Sequence, residues 1–140
     1  MTSMIESVAE YLESFSETAL LAPNGVLTDE AEENGEGCVT GGEAAEIATD
    51  ITGARHCIYA FAFNIAAPAV THAQRSETRQ RLEMLYDALC DAQKQENLPV
   101  LGGARVCEDI YCFAPQLTDT DDSGIAQYSV PFNITVTERE

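Results

Sequence analysis

The stretch DTDDSG near the C-terminus holds the residues whose types and spacing come nearest to metal chemistry. Asp119, Asp121, Ser123 and Gly124 occupy the positions of the first ligands and the turn glycine of an EF-hand calcium loop. Such a loop ends in a bidentate glutamate at its twelfth position and lies between two helices. Here the twelfth residue is Val130, in a strand-like pattern. We therefore expect an acidic turn between two strands, with Gly124 in a special backbone conformation and no resident metal.

Other residues capable of chemistry are sparse and form no recognisable motif. The histidines, His56 and His72, have no metal-ligand partner at helical spacing. Cys57 with His72 and Cys107 with His56 stay candidate pairs of a thiol nucleophile and its histidine base. No GxSxG, GxxxxGK[ST] or strand-linked GxGxxG motif is present. The odd number of cysteines without a CxxC pair predicts mostly buried, reduced thiols at Cys38, Cys57, Cys90, Cys107 and Cys112. We expect no catalytic residue and no cofactor.

Charge is the unusual feature of the composition. The 140 residues suit a single domain, residues 1–140, and the apolar fraction of 45% suits a globular core. Against 24 acids stand only 7 lysines and arginines, which gives a formal charge of −17. That charge would repel nucleic-acid phosphates, so it argues against a DNA- or RNA-binding module. No apolar run reaches the roughly 20 residues that span a bilayer, and the acidic N-terminus is unlike a signal peptide.

Two segments have helical periodicity. In the first, Ser3 and Glu6 fit a capping box, and an apolar stripe recurs at spacings of three and four through Ile5, Val8, Leu12 and Phe15. The second begins near Thr71 and Gln74, another capping-box pair, and its predicted buried stripe is Leu82, Leu85, Leu89 and Ala92. The acidic, glycine-rich residues 28–46 carry no helical stripe and predict a loop or two short, weak strands.

The remaining segments have strand character. EIATDI and ARHCIYAFAFNIAAP predict a hairpin joined at Thr52 and Gly53. Both faces of the longer arm are mostly apolar, which predicts cover on both sides, by a second chain or by another element of this one. ARVCEDIYCF predicts a third strand. The last strand alternates cleanly, with a buried face at Ala126, Tyr128, Val130, Phe132, Ile134 and Val136, and Pro131 predicts an edge position or a bulge.

The predicted order is helix, hairpin, helix, hairpin. This order favours an α+β fold in which an antiparallel sheet carries two helices on one face.

Three local patterns in this order resemble the tail-terminator proteins of tailed bacteriophages, a family also labelled minor capsid proteins. They are the hairpin DITGARHCIYAFAFNIAAP, the helix with a following Leu-Pro in LEMLYDALCDAQKQENLPVL, and the acidic turn with a final strand in DDSGIAQYSVPFNITVTERE. Relatives often have Asp before the turn glycine, where this chain has Thr52. The resemblance covers about residues 46–140.

The resemblance implies a virion structural protein without catalysis. Such a subunit is made in the cytoplasm of the bacterial host and assembles, commonly as a hexameric ring, at the head-proximal end of the tail. Its implied partners are further copies of itself, the tail-tube protein and the head–tail connector protein. DNA would pass through the ring without specific binding, and no membrane partner is implied.

Closed rings need contacts in which one patch meets a different patch on the neighbouring subunit. We predict that basic residues at the start of the second helix, Arg75, Arg79 and Arg81, meet an acidic loop that contains Asp29, Glu30, Glu32 and Glu33. The small apolar face at Ile58, Ala60 and Ala62 is a second candidate subunit interface.

Other functions stay open from the sequence. The charge also suits an acidic inhibitor or adaptor that mimics nucleic acid, and a cysteine hydrolase or another ring protein of the phage neck are further alternatives.

Overall fold

A computed structural model describes residues 4–23, 25–28, 37–101, 105–120 and 124–138, without the side chains of 45–47. Within these residues the fold is α+β, with three helices and a six-stranded sheet. The helices are α1 (Met4–Glu13), α2 (Ser16–Leu21) and α3 (His72–Lys94). The strands are β1 (Val26–Thr28), β2 (Gly37–Thr49), β3 (Arg55–Pro68), β4 (Arg105–Cys112), β5 (Gln116–Thr120) and β6 (Ile125–Glu138).

The sheet is built around β6. The long strand β3 pairs antiparallel with β6 along its whole length, from Arg55 opposite Glu138 to Pro68 opposite Ile125. On the other side of β6, β4 pairs with its C-terminal half and β5 with its N-terminal half. The strand order is β1-β2-β3-β6-β4, and β1 runs parallel to β2. The prediction of a wholly antiparallel sheet is therefore wrong at this edge.

The predicted buried faces of β3 and β6 are confirmed. Alternate side chains of the two strands pack in one core with α1 and α3, and Phe61 stacks on Phe132 with ring centroids 5.8 Å apart. All six residues predicted on the buried face of the last strand are buried. Leu82, Leu85, Leu89 and Ala92 of α3 are buried as predicted. All three helices contribute to this one core, so they cover one face of the sheet.

The start of α3 follows the capping rule read from the sequence. The hydroxyl of Thr71 accepts a hydrogen bond from the Gln74 backbone N–H at 3.2 Å. The Gln74 side chain accepts one from the Thr71 N–H at 3.2 Å, so the capping box is complete.

The N-terminal helical region is divided, whereas the sequence predicts one helix through Phe15. α1 ends at Glu13, and α2 starts at Ser16 after Phe15 adopts an extended conformation. The Ser14 hydroxyl bonds back to the Tyr11 carbonyl, a local alternative to continuing the helix. The predicted cap at Ser3 lies outside the described residues.

The glycine-rich region contains a long strand, where the sequence predicts a loop or weak strands. β2 runs for 13 residues and pairs with β3 through two register shifts, at Gly41/Glu43 and Glu46/Ala48. Gly41 and Gly42 both have positive φ at the first shift, so these glycines form a bulge within the strand. Residues 29–36, which hold the predicted acidic contact, lie outside the described residues.

Pro131 lies in the middle of the sheet, so the prediction of an edge position or a bulge is wrong. Its carbonyl accepts from the N–H of Phe113 at 2.9 Å, which means that its nitrogen also faces β4 and β5. On that side residues 113–115 separate β4 from β5. The missing N–H of proline therefore faces an interruption in the neighbouring strand, where no ladder bond is lost.

Candidate assembly interface

The face of β3 and β6 opposite the helices carries no charged side chain over its central part. In the register of the two strands, Ile58 pairs with Thr135, Ala60 with Asn133, and Ala62 with Pro131. Ten residues share this central surface, hereafter the open face: Ile58, Ala60, Ala62, Asn64, Ala66, Gln127, Ser129, Pro131, Asn133 and Thr135. An uncharged surface of this extent is unexpected on a chain with a formal charge of −17.

The open face is partly accessible. Ala60, Ala66 and Gln127 are exposed and Ile58 is 36% exposed, whereas Ser129 is buried and the other five residues are half-buried. Among the described residues, the helices pack on the other face. The sequence predicts cover on both faces. The described part of the chain supplies it on one face alone, so a second chain stays a prediction for the other.

Two aromatic side chains lie at the β4 side of this surface. Tyr111 is paired with Asn133, in the same row as Ala60, and is 55% exposed. Its ring packs edge-on against Phe113 at a centroid distance of 5.0 Å, and Phe113 is 41% exposed. Sequence reasoning missed this pair because a bulge between Cys107 and Asp109 breaks the alternation that assigns residues of β4 to faces.

The three predicted interface arginines differ in their surroundings. Arg75 donates to the carbonyls of Ala69 at 2.9 Å and Val70 at 3.3 Å. Arg81 donates to the Leu20 carbonyl at 3.3 Å and forms an ion pair with Glu77 at 2.5 Å. Arg79 is exposed and lines a groove of about 500 Å³ between α3 and the β4–β5 interruption, together with Tyr86, Leu117 and others. Their predicted intermolecular role stays a prediction, since the acidic partner residues lie outside the described residues.

A charged cluster joins three strands at the far end of the sheet. Glu138 accepts a hydrogen bond from the Tyr59 hydroxyl and lies 3.8 Å from Arg55 and 3.7 Å from Arg105. Burial, with the neighbouring Glu138 carboxylate, raises the pKa of Tyr59 to about 12. The cluster ties β3, β4 and β6 together at the end of the sheet, on the face that carries the helices.

The candidate nucleophile partner His56 contacts oxygen atoms at both ring nitrogens. Nε2 lies 3.1 Å from an Asp50 carboxylate oxygen, and Nδ1 lies 3.1 Å from the Thr137 hydroxyl. Asp50 also accepts from the Thr52 hydroxyl and from the N–H groups of Thr52 and Ala54, so its carboxylate organises the β2–β3 turn. These hydrogen bonds, the Thr52 hydroxyl foremost and then His56, hold the Asp50 pKa well below its usual range.

The cysteines are free thiols. Cys57, Cys107 and Cys112 are buried, which confirms the sequence prediction for these three. Burial raises the pKa of Cys107 to about 11 and that of Cys112 to about 12. Both are therefore thiols rather than reactive thiolates at neutral pH.

The acidic turn that opens β6 has the local features predicted for it. Asp119 accepts a hydrogen bond from the Thr120 N–H at 2.9 Å, and Gly124 has a φ of +83°. Asp121 and Ser123 lie outside the described residues. Within the described ranges no cluster of three or more His, Cys, Asp or Glu side chains could hold a metal ion. No helix in the described part of the chain is long and apolar enough to cross a membrane.

Comparisons with known proteins identify a fold and no family. No known protein family matches the chain, and no curated protein matches its sequence. Among solved structures, a chain in the virion of a native gene transfer agent particle is similar, with a TM-score of 0.64 and 15% sequence identity. The match covers 97% of this chain and 99% of the other.

Proposed function

We propose that this chain is a structural protein of a phage-like virion, and more specifically a tail terminator. In this role several copies, six in the arrangement that the family resemblance implies, form a ring at the head-proximal end of the tail. The ring stops growth of the tail tube and joins it to the head–tail connector. The chain carries no catalytic function in this proposal.

The observation that carries the proposal is the fold likeness to a chain of a gene transfer agent virion. It extends over almost the whole of both chains, so it does not come from a common small motif. The open face adds a surface suited to assembly, because it is uncharged and partly accessible. Both features are typical of a subunit that buries part of its sheet against other virion proteins.

The net charge of −17 suits a ring through which DNA passes. Acidic side chains repel the phosphate backbone, so the duplex would not adhere to the channel wall. The open face does not contribute to this repulsion. The acids would have to line the channel from other surfaces.

Tail-tube assembly tests the proposed role directly. The tail-tube protein of the same virus is polymerised with and without this chain, and tube lengths are measured by negative-stain electron microscopy. We expect tubes that end in a ring and stop growing when the chain is present, and longer, uncapped tubes when it is absent. Unchanged lengths, with no density at either tube end, would refute the terminator role.

A substitution at Arg79 tests the predicted basic contact in the ring. Arg79→Glu reverses the charge of an exposed residue, whereas the same change at Arg75 or Arg81 would also break contacts within the chain. We expect Arg79→Glu to reduce ring occupancy on tubes. Gln80→Glu, also exposed on α3, is the control because it adds an acid without removing a cation. Equal ring occupancy for Arg79→Glu and wild type would exclude this contact.

A further inference from the structure

One row of residues crosses four strands of the sheet at the same level. Glu43 of β2 pairs with Ala60 of β3, Ala60 with Asn133 of β6, and Asn133 with Tyr111 of β4. The exposed, bulky Tyr111 stands at one end of the row, and the small Ala60 beside the exposed carboxylate of Glu43 stands at the other. The row therefore has a bulky side chain with a hydrogen-bond donor, Tyr111, at one end. At the other end it has the small side chain of Ala60 next to a hydrogen-bond acceptor, the carboxylate of Glu43.

We propose that the open face binds the open face of a second copy of this chain through a two-fold axis parallel to β3 and β6. Such an axis places each end of the row opposite the other end of the same row in the second copy. The position along the strands does not change. Tyr111 of each copy then lies over Glu43 and Ala60 of the other, with its hydroxyl positioned to donate to the carboxylate. Asn133 of each copy faces Ala60 of the other. Two sheets of similar strand direction packed face to face are a common arrangement in proteins.

The unlike ends of the row, a hydroxyl at Tyr111 and a carboxylate at Glu43, favour a second copy as the occupant. Each chain carries −17, so copies repel wherever acidic surfaces meet. The open face lets two copies approach without placing like charges opposite each other, and the one acid of the row meets a hydroxyl donor. The contact is isologous, because the same patch serves both partners, and it closes at two copies.

The area is sufficient for a weak, specific dimer. From Ile58 to Ala66 the face is roughly 30 Å long, and four strands make it about 19 Å wide, which gives a flat area of roughly 550 Å². Standard protein interfaces bury about 800 Å² per partner, and smaller ones belong to transient complexes. We expect a dissociation constant on the order of micromolar or weaker. The inference concerns the same face that supports the proposed assembly role, but it depends only on sheet geometry and charge, and it is tested on the isolated chain.

Sedimentation equilibrium over a range of protein concentrations tests this dimer. We expect a monomer–dimer equilibrium whose mass does not exceed two chains of 15.1 kDa each. Ala60→Glu places an acid at the centre of the contact and should abolish the dimer, and Tyr111→Ala should weaken it at least tenfold. Ala73→Glu, the same substitution at an exposed site on α3, should dimerise as wild type does. Circular dichroism confirms that each variant is folded.

Salt dependence gives a second test that needs no variant. Added salt screens the repulsion between two acidic chains, so the open-face dimer should tighten as ionic strength rises. A contact between the arginines of α3 and an acidic loop should weaken instead. A wild-type monomer at all concentrations and ionic strengths, or an oligomer that Ala60→Glu leaves intact, overturns the open-face dimer. Neither result bears on tube capping, which is measured separately.

Discussion

The hydroxyl of Tyr11 in α1 donates a 2.8 Å hydrogen bond to the backbone carbonyl of Asn97, 86 residues further along the chain. This bond ties the N-terminal helix to the loop that follows α3. Tyr11 itself is buried and packs edge-on against Phe15 at a centroid distance of 5.1 Å. The contact therefore links α1 to the segment that follows α3.

Tyr11→Phe should lower the free energy of unfolding by about 1 kcal/mol, because it removes this bond and leaves the Asn97 carbonyl without the phenol. Urea denaturation monitored by circular dichroism measures the change. Tyr111→Phe, compared at a protein concentration at which the chain is monomeric, is the matched control, since Tyr111 is exposed and its hydroxyl should add little stability to a single chain. Equal losses in the two variants would contradict a specific role for the bond.

Alkaline titration should show a late component from Tyr11 and Tyr59. Burial raises the pKa of Tyr11 to about 12, with smaller contributions from Cys107 and Cys112, and the pKa of Tyr59 is also about 12. Both pKa values exceed the ordinary value of 10.0, so the folded state favours the neutral phenols. Their contribution to the free energy of unfolding is fully present below pH 10 and is lost as pH rises towards 12. Absorbance at 295 nm should show a late component that shrinks in Tyr11→Phe and in Tyr59→Phe.

Acid should weaken the β2–β3 turn through Asp50. Its carboxylate has a depressed pKa, so its contribution is present above the ordinary value of 3.8 and is lost as pH falls below that value. Asp50→Asn should mimic this loss at neutral pH and speed amide hydrogen exchange at Thr52 and Ala54. Asp87→Asn, on the exposed side of α3, should leave exchange in the turn unchanged. Unaltered exchange in Asp50→Asn would show that the turn does not depend on this carboxylate.

Two glycines with positive φ, where any other residue would be strained, test the packing of β2 on β3. Gly41 has a φ of +104°, and a Cβ there would overlap the carbonyl oxygen of Ala60. Gly53 has a φ of +88°, and a Cβ there would meet nothing within 4 Å. We expect Gly41→Ala to cost roughly 3 kcal/mol and Gly53→Ala about 1 kcal/mol in thermal or urea unfolding. Similar losses of stability in the two variants would mean that the positive φ alone, and not the overlap with Ala60, determines the effect of Gly41→Ala.

Local sequence rules predicted the elements whose signals are short-range. The capping box at Thr71 and Gln74, the stripe of α3 and the alternating face of β6 depend on residues a few positions apart, and each is confirmed. The C-terminal end of β2 was predicted as the first arm of the hairpin with β3, and that pairing is confirmed. The glycine-rich part of β2 was not predicted as a long strand because its residues have low strand propensity, and pairing with β3 overrides that preference. Pro131 was misplaced because the rule concerns a lost N–H, and the matching gap at 113–115 depends on the tertiary arrangement.

The residues of the open face were predicted in part, and their role as an interface stays a prediction. The alternation in β3 brings Ile58, Ala60 and Ala62 onto one face, as the sequence suggested. The opposing members on β6 and the aromatic end at Tyr111 depend on strand order and register, which a single sequence does not determine.

The interruption opposite Pro131 has a consequence for the solubility of the chain at high protein concentration. The outer edge of the sheet at β4 and β5 is divided by residues 113–115, so a strand from another molecule finds no continuous row of donors and acceptors on which to extend. Fibril-like growth through this edge is thereby discouraged.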